Sequence, residues 1–206
     1  MKNTTWGRAA CVAGPACLTA YGLIRLTDQE HGPGSAWTLG HLAMLTGVLA
    51  FIPVFLTLHR AAARGTGPAG RAVAGAGALL GLYGTAAVTV QSAIDLDVGF
   101  RAADRAGMDE LFQEVQSDAL VKAEVYSVGP LLFYIGLVLL TAQLAVQRRA
   151  AAWRPVAVVA GIAAAGASLD LMPVAGLLFL AALGALGRAG GADAAGGLTD
   201  GLCRCG

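Results

Sequence analysis

Apolar residues fall in long unbroken runs, and the polar residues gather in the connections between them. Runs over residues 9–26, 37–58, 72–94 and 125–146 each predict one helix, long enough to cross a hydrocarbon core of roughly 30 Å. A fifth run, 155–187, would reach about 50 Å as one helix, so it is expected to fold back on itself. The break is placed at 168–173. There Pro173 cannot continue an upstream helix, and Asp170 is costly in lipid. The expected fold is therefore all-α, an integral membrane bundle of six transmembrane helices. The alternative is five, with 155–187 as one kinked helix. Lys2 and Arg8 precede the first run as in a signal peptide, but no small-residue cleavage site leads to a soluble domain, so the run is read as a retained span.

Lys and Arg set the expected orientation. With the N-terminus inside, the inner segments hold Lys2, Arg8, Arg60, Arg64, Arg71, Arg148, Arg149, Arg154, Arg188 and Arg204. The outer segments hold Arg25, Arg101, Arg105 and Lys122. Ten against four places both termini in the cytoplasm of a multi-pass cell-membrane protein. Residues 1–189 form one transmembrane domain. Residues 190–206 are Gly/Ala-rich and read as a flexible tail.

Only one connection is long, the outer loop 95–124, and it is acidic. Within it Met108, Leu111, Phe112, Val115 and Ala119 share one helical face. Asp109 and Glu110 are expected in the first turn, where the macrodipole favours negative charge. This predicts an amphipathic helix, either a solvated connector feeding span four or a lid over a cavity.

Span three is rich in glycine. Gly77 and Gly81 form a small-xxx-small pair, a surface for close helix approach and a possible homo-oligomer contact. The glycines lie inside a span with no Gly-Lys-Ser/Thr, which excludes a phosphate loop. Pro15, Pro53 and Pro130 are expected to kink spans one, two and four.

Polar side chains near the outer ends of the spans carry the candidate chemistry. His41 lies one turn inside span two. Gln91 and Asp95 are four apart on span three. Glu124 and Tyr126 open span four, and Asp170 sits in the last hairpin. A carboxylic acid held neutral in an apolar pocket there can act as a general acid. The candidate catalytic residues are thus Asp95, Glu124, His41, Gln91 and Asp170. Trp37, Tyr83, Tyr126 and Phe133 could line a substrate site and stabilise a cation through their π faces. Each has a plain alternative: interfacial carboxylates in water, a packing histidine, a turn aspartate. The acids and His41 lack a metal-site spacing such as His-Glu-x-x-His, so neither metal nor cofactor is expected.

Composition narrows the classes. Charged residues make up 13% of the 206-residue chain and hydrophobic ones 56%, whereas a soluble domain carries about 25% charge. Lipid must cover part of the surface. The net charge of +1 and the lack of a basic cluster with interleaved aromatics exclude nucleic acid as a partner. Cys11 and Cys17 fall inside span one, on different sides of the helix, and Cys203 and Cys205 sit in the tail. None makes a disulfide framework.

The stretch Trp37, Thr38, Leu39, Gly40, His41, Leu42 with Pro53 downstream, the Arg-rich inner loop and the acidic outer loop together resemble small six-span membrane proteins of high-GC bacteria. Size and membrane-embedded acids also resemble the integral membrane terpene cyclases of meroterpenoid pathways. That resemblance implies protonation of a prenyl chain and ring closure through a carbocation. No family motif aligns, so no catalytic residue is carried over from it. The expected function is acid-initiated cyclisation of a lipophilic, prenylated small molecule. The alternatives are a non-catalytic membrane subunit that assembles or senses, and a small proton- or cation-coupled transporter.

Overall fold

Glycine and proline mark where the helices begin. Gly34 and Gly67 are the N-caps of α2 (Ser35–Ala63) and α3 (Pro68–Arg101), and proline occupies the first turns of α3, α5 (Gly129–Val146) and α7 (Met172–Gly184). Proline is favoured there because its missing N–H has no intrahelical partner anyway. The computed structural model describes residues 3–28 and 31–186. The remaining helices are α1 (Asn3–Thr27), α4 (Arg105–Ser117) and α6 (Trp153–Ala167). A π-helical segment, Val121–Val128, leads into α5, and a 3-10 turn, Leu169–Leu171, joins α6 to α7. The tail 190–206 with Cys203 and Cys205, together with Lys2, Arg188 and Arg204, lies outside the described residues, as does the domain boundary at 189.

The fold is all-α. Four stretches are long and apolar enough to cross a membrane: Trp6–Thr27, Ser35–Ala63, Pro68–Arg101 and Val121–Val146. The break in the last apolar run falls at Ser168 to Met172, close to the expected place. The halves have 15 and 13 residues, or roughly 22 and 20 Å of helix. Both are shorter than a hydrocarbon core.

The helices close into a ring in the order α1, α2, α3, α5, α6, α7, with α7 returning to α1. Phe51, Phe55 and Phe133 meet at the centre with ring centroids 4.9 to 6.3 Å apart. Phe133, a candidate substrate contact from the sequence, is thus a core residue. The small residues are used inside the ring. Gly136 of α5 lies against the backbone of Gly77 and Gly81, and Gly81 also faces the ring of Phe55. The glycine pair of span three therefore joins α3 to α5 within the chain, not to a second copy. Pro130 lies inside the Val121–Val146 stretch. It sits in the first turn of α5, where the π-helical segment ends.

Two boundaries differ from the sequence reading in ways that shape the site. First, α3 does not stop at residue 94 but runs to Arg101. Asp97 and Arg101 pair at 3.2 Å along this polar extension, and Val98 is fully buried. Asp95 is therefore a helix residue and not part of a loop. Second, α4 begins a turn earlier than expected. Asp104 is its N-cap, accepting a hydrogen bond from the Gly107 N–H at 2.8 Å. Asp109 and Glu110 consequently fall outside the first turn, and Ala119 lies beyond the helix and is exposed. Met108 is buried and Phe112 faces Trp37 with ring centroids 6.2 Å apart. The amphipathic helix thus caps the bundle, because its apolar face finds apolar side chains to cover.

Candidate functional site

The two ends of the bundle differ in charge. Every Asp and Glu among the described residues lies at the end that carries α4 and the α1–α2 and α6–α7 connections. At that acid end Asp95 and His41 are both buried, 7% and 5% exposed. They come from facing turns of α3 and α2, with Asp95 Oδ2 3.6 Å from His41 Nε2. Tyr126, on the π-helical segment, turns its hydroxyl toward Asp95 Oδ1 at 3.4 Å. Trp37 ties the two helices together. Its indole N–H donates to the Asp95 carbonyl at 2.8 Å, and its ring lies against His41 with centroids 4.1 Å apart.

The geometry dictates where protons can sit. His41 Nδ1 is 2.9 Å from the Trp37 carbonyl. A carbonyl only accepts, so Nδ1 must carry hydrogen. In neutral His41 the lone pair then resides on Nε2, pointed at the Asp95 carboxyl. A lone pair facing a carboxylate is repulsive, so one further proton belongs between them, on Asp95 or on the imidazole. No Lys or Arg is paired with Asp95 to replace that proton.

Two residues that the sequence reading did not single out complete the surroundings. Tyr21 meets the His41 ring edge-on at 5.5 Å. Arg25, one turn further along α1, is bound to Asp170 through Nε–Oδ1 at 3.1 Å. Their spacing on α1 was legible, but their proximity to His41 was not. It depends on the packing of α1 against α2, whose backbones come close at Gly47, where a Cβ would stand 3.1 Å from the Gly14 carbonyl oxygen. Between Tyr21, Arg25, Asp28 and His41 lies a niche of about 10 Å³, room for about one water. Arg105 of α4 reaches across and donates to the His31 carbonyl at 2.7 Å, fastening the cap to the α1–α2 connection.

The other candidates are placed elsewhere. Glu124 is exposed and accepts a 2.6 Å hydrogen bond from Tyr83, itself half exposed. The pair lies on the outer surface of α3 and the π-helical segment, so Glu124 does not share the buried site. Asp170 is an exposed turn residue paired with Arg25. Gln91 stands one turn from Asp95 on the same helix, and no side-chain hydrogen bond engages it. The sequence thus led to His41, Asp95, Tyr126 and Trp37, which meet, and to Glu124, Tyr83, Asp170, Gln91 and Phe133, which do not join them. Among the described residues no three His, Cys, Asp or Glu side chains gather closely enough to hold a metal ion.

These features define a class: an all-α protein with helices long and apolar enough to cross a membrane and a buried carboxyl–imidazole pair at one end. No protein-family model, curated protein or solved structure matches the chain.

Proposed function

We propose that the chain crosses the cell membrane six times, with the arginine end cytoplasmic and both termini inside, and that Asp95 is a proton donor to a lipophilic substrate. The six crossings take α6 and α7 as two short spans, reached by local thinning of the bilayer. The orientation follows the positive-inside bias. One observation carries the functional reading: a buried carboxyl whose close polar side chains, among the described residues, are an imidazole and a phenol. Such a group can hold a proton away from water and deliver it to a weak base.

The substrate class is a prenylated small molecule, and the reaction is cyclisation. The Asp95 proton adds to a terminal alkene carbon, and the alkene π electrons form the new C–H bond. The resulting tertiary cation is closed by a second alkene, which forms a C–C bond. Loss of a proton to the Asp95 carboxylate then restores the acid, so the product is an isomer of the substrate. Tyr21, Trp37 and Tyr126 offer π faces near the cation. With α4 docked, the niche beside His41 holds about one water, whereas ligand pockets run to several hundred Å³. Substrate entry therefore requires the elements around the niche to move, and α4, fastened to the niche residue His31 through Arg105, is the element proposed to lift.

The test is conversion of a farnesylated phenol by the full chain in lipid nanodiscs. The expected product has the same mass and a shifted retention time, is formed by wild type and is lost in Asp95→Asn. Equal yield from wild type and Asp95→Asn removes the reading. The closed niche favours a second reading, a non-catalytic membrane subunit that senses protons at the acid end. It predicts no product from any variant, with α4 exchange that differs between wild type and Asp95→Asn.

A further inference from the structure

A pocket of about 380 Å³ opens at the opposite end of the bundle, between the α5–α6 connection and the end of α7. Arg148, Arg149 and Arg154 line it. Arg60 in the last turn of α2, Arg64 just after it and Arg71 in the first turn of α3 stand nearby, and no Asp or Glu occurs among the described residues of this end. Three cations thus share a concave surface, and among the described residues no carboxylate is near enough to neutralise them. Their mutual repulsion is tolerable only with an anion nearby or with ample water.

Part of this arrangement has a structural purpose. Arg149 donates to the Ala61 carbonyl at 2.7 Å and Arg154 to the Ala182 carbonyl at 2.8 Å, which stitches α2 and α7 to the α5–α6 connection. These bonds leave other donors over. Arg154 Nε is shut off from solvent and has no hydrogen-bond partner among the described residues, a state that costs free energy until an acceptor arrives. Arg148 is exposed, and its side chain has no partner among the described residues. Its backbone takes the left-handed conformation, φ 57°, directly after α5. In addition, α6 begins at Ala152 on the pocket wall with no side chain capping its first turn. Its positive dipole end adds to the arginine field, although the Arg154 N–H already donates to the Ala151 carbonyl at 3.1 Å and Pro155 has no N–H to offer.

We propose that this pocket binds a phosphate group, presented either as the headgroup of an anionic phospholipid or as free phosphate. Guanidinium forks match phosphate oxygens in geometry as well as charge. Exposed Val146 and Trp153 flank the pocket. They offer apolar surface for acyl chains, and Trp153 suits the headgroup level. The inference stands apart from the acid-end chemistry. Its phosphate form does not depend on the membrane reading.

The experiment uses the full chain purified in a neutral detergent. Thermal unfolding is followed during titration with dioleoylphosphatidylglycerol, dioleoylphosphatidylcholine, or sodium phosphate against sodium chloride of equal ionic strength. Saturable protection by phosphatidylglycerol but not phosphatidylcholine supports the lipid source, and saturable protection by phosphate over chloride supports the free ion. Arg148→Gln removes no hydrogen bond within the protein, so it should fold. It is expected to weaken the apparent Kd roughly tenfold, as loss of one charge-assisted contact does. Arg71→Gln, on the α3 N-terminus, is expected to leave it unchanged. The proposal is overturned if neither phosphatidylglycerol nor phosphate protects beyond its control. It is equally overturned if Arg71→Gln weakens binding as much as Arg148→Gln.

Discussion

His41 Nε2 faces Asp95 Oδ2 at 3.6 Å, while the other ring nitrogen of His41 is already committed to the Trp37 carbonyl. This relationship sets the proton inventory of the buried site, and it can be probed without knowing a substrate. Asp95→Asn supplies an amide N–H to the Nε2 lone pair and needs no extra proton. It should unfold within about 1 kcal/mol of wild type, whereas His41→Ala leaves a void and a buried carboxyl whose remaining side-chain contact is the Tyr126 hydroxyl at 3.4 Å. That second variant is expected to cost about 2–4 kcal/mol. In a double-mutant cycle the two positions should couple by about 0.5–3 kcal/mol. Additive effects would show that the pair is not a unit.

The α4 cap rests on Met108, Phe112 and the Arg105 contact to His31. Met108→Ala is expected to weaken its docking by about 2–4 kcal/mol. Hydrogen exchange should then speed up across Arg105–Ser117 and leave α5 unaffected. If the cap and α5 accelerate together, the cap is part of the global fold and cannot act as a lid.

The contact of α3 with α5 runs through glycine backbone. A Cβ at Gly136 would stand 2.6 Å from the Gly77 carbonyl oxygen, and neither backbone can yield cheaply. Gly136→Ala should therefore cost at least about 1–3 kcal/mol by overpacking. Gly75, two residues before Gly77, meets nothing within 4 Å. Gly75→Ala is expected to be neutral or to stabilise by up to about 1 kcal/mol. Thermal midpoints of the two variants in one detergent check the contrast.

Arg25 and Asp170 form an ion pair at the rim, with the Asp170 side chain 54% exposed. Water screens such a pair, so Asp170→Asn should cost under about 1 kcal/mol, and the difference should shrink in high salt. A larger, salt-insensitive loss would mean that Asp170 belongs to the buried site after all.

The run lengths, the position of Pro173 and the distribution of arginines were enough to place the apolar helices and to separate an acid end from an arginine end. These features are local: an apolar run of sufficient length favours a helix, and Pro173 marks a new helix because polar Ser168 and Asp170 break the run just before it, whereas Pro15 and Pro53 stay inside α1 and α2. Which polar side chains would meet was not local. Asp95 and Glu124 both looked like carboxylates at span ends. Asp95 is buried because α3 continues to Arg101 and packs Val98 and Gly99 inward near Trp37, whereas Glu124 turns outward to Tyr83. Tyr21 and Arg25 join His41 only because α1 packs against α2, with backbone close to backbone where Gly14 meets Gly47. The sequence by itself thus determined an all-α chain with membrane-length helices and opposite charges at its ends. Only the tertiary structure decided which carboxyl lost its water, since burial depends on the rotation and spacing of helices that are far apart in sequence.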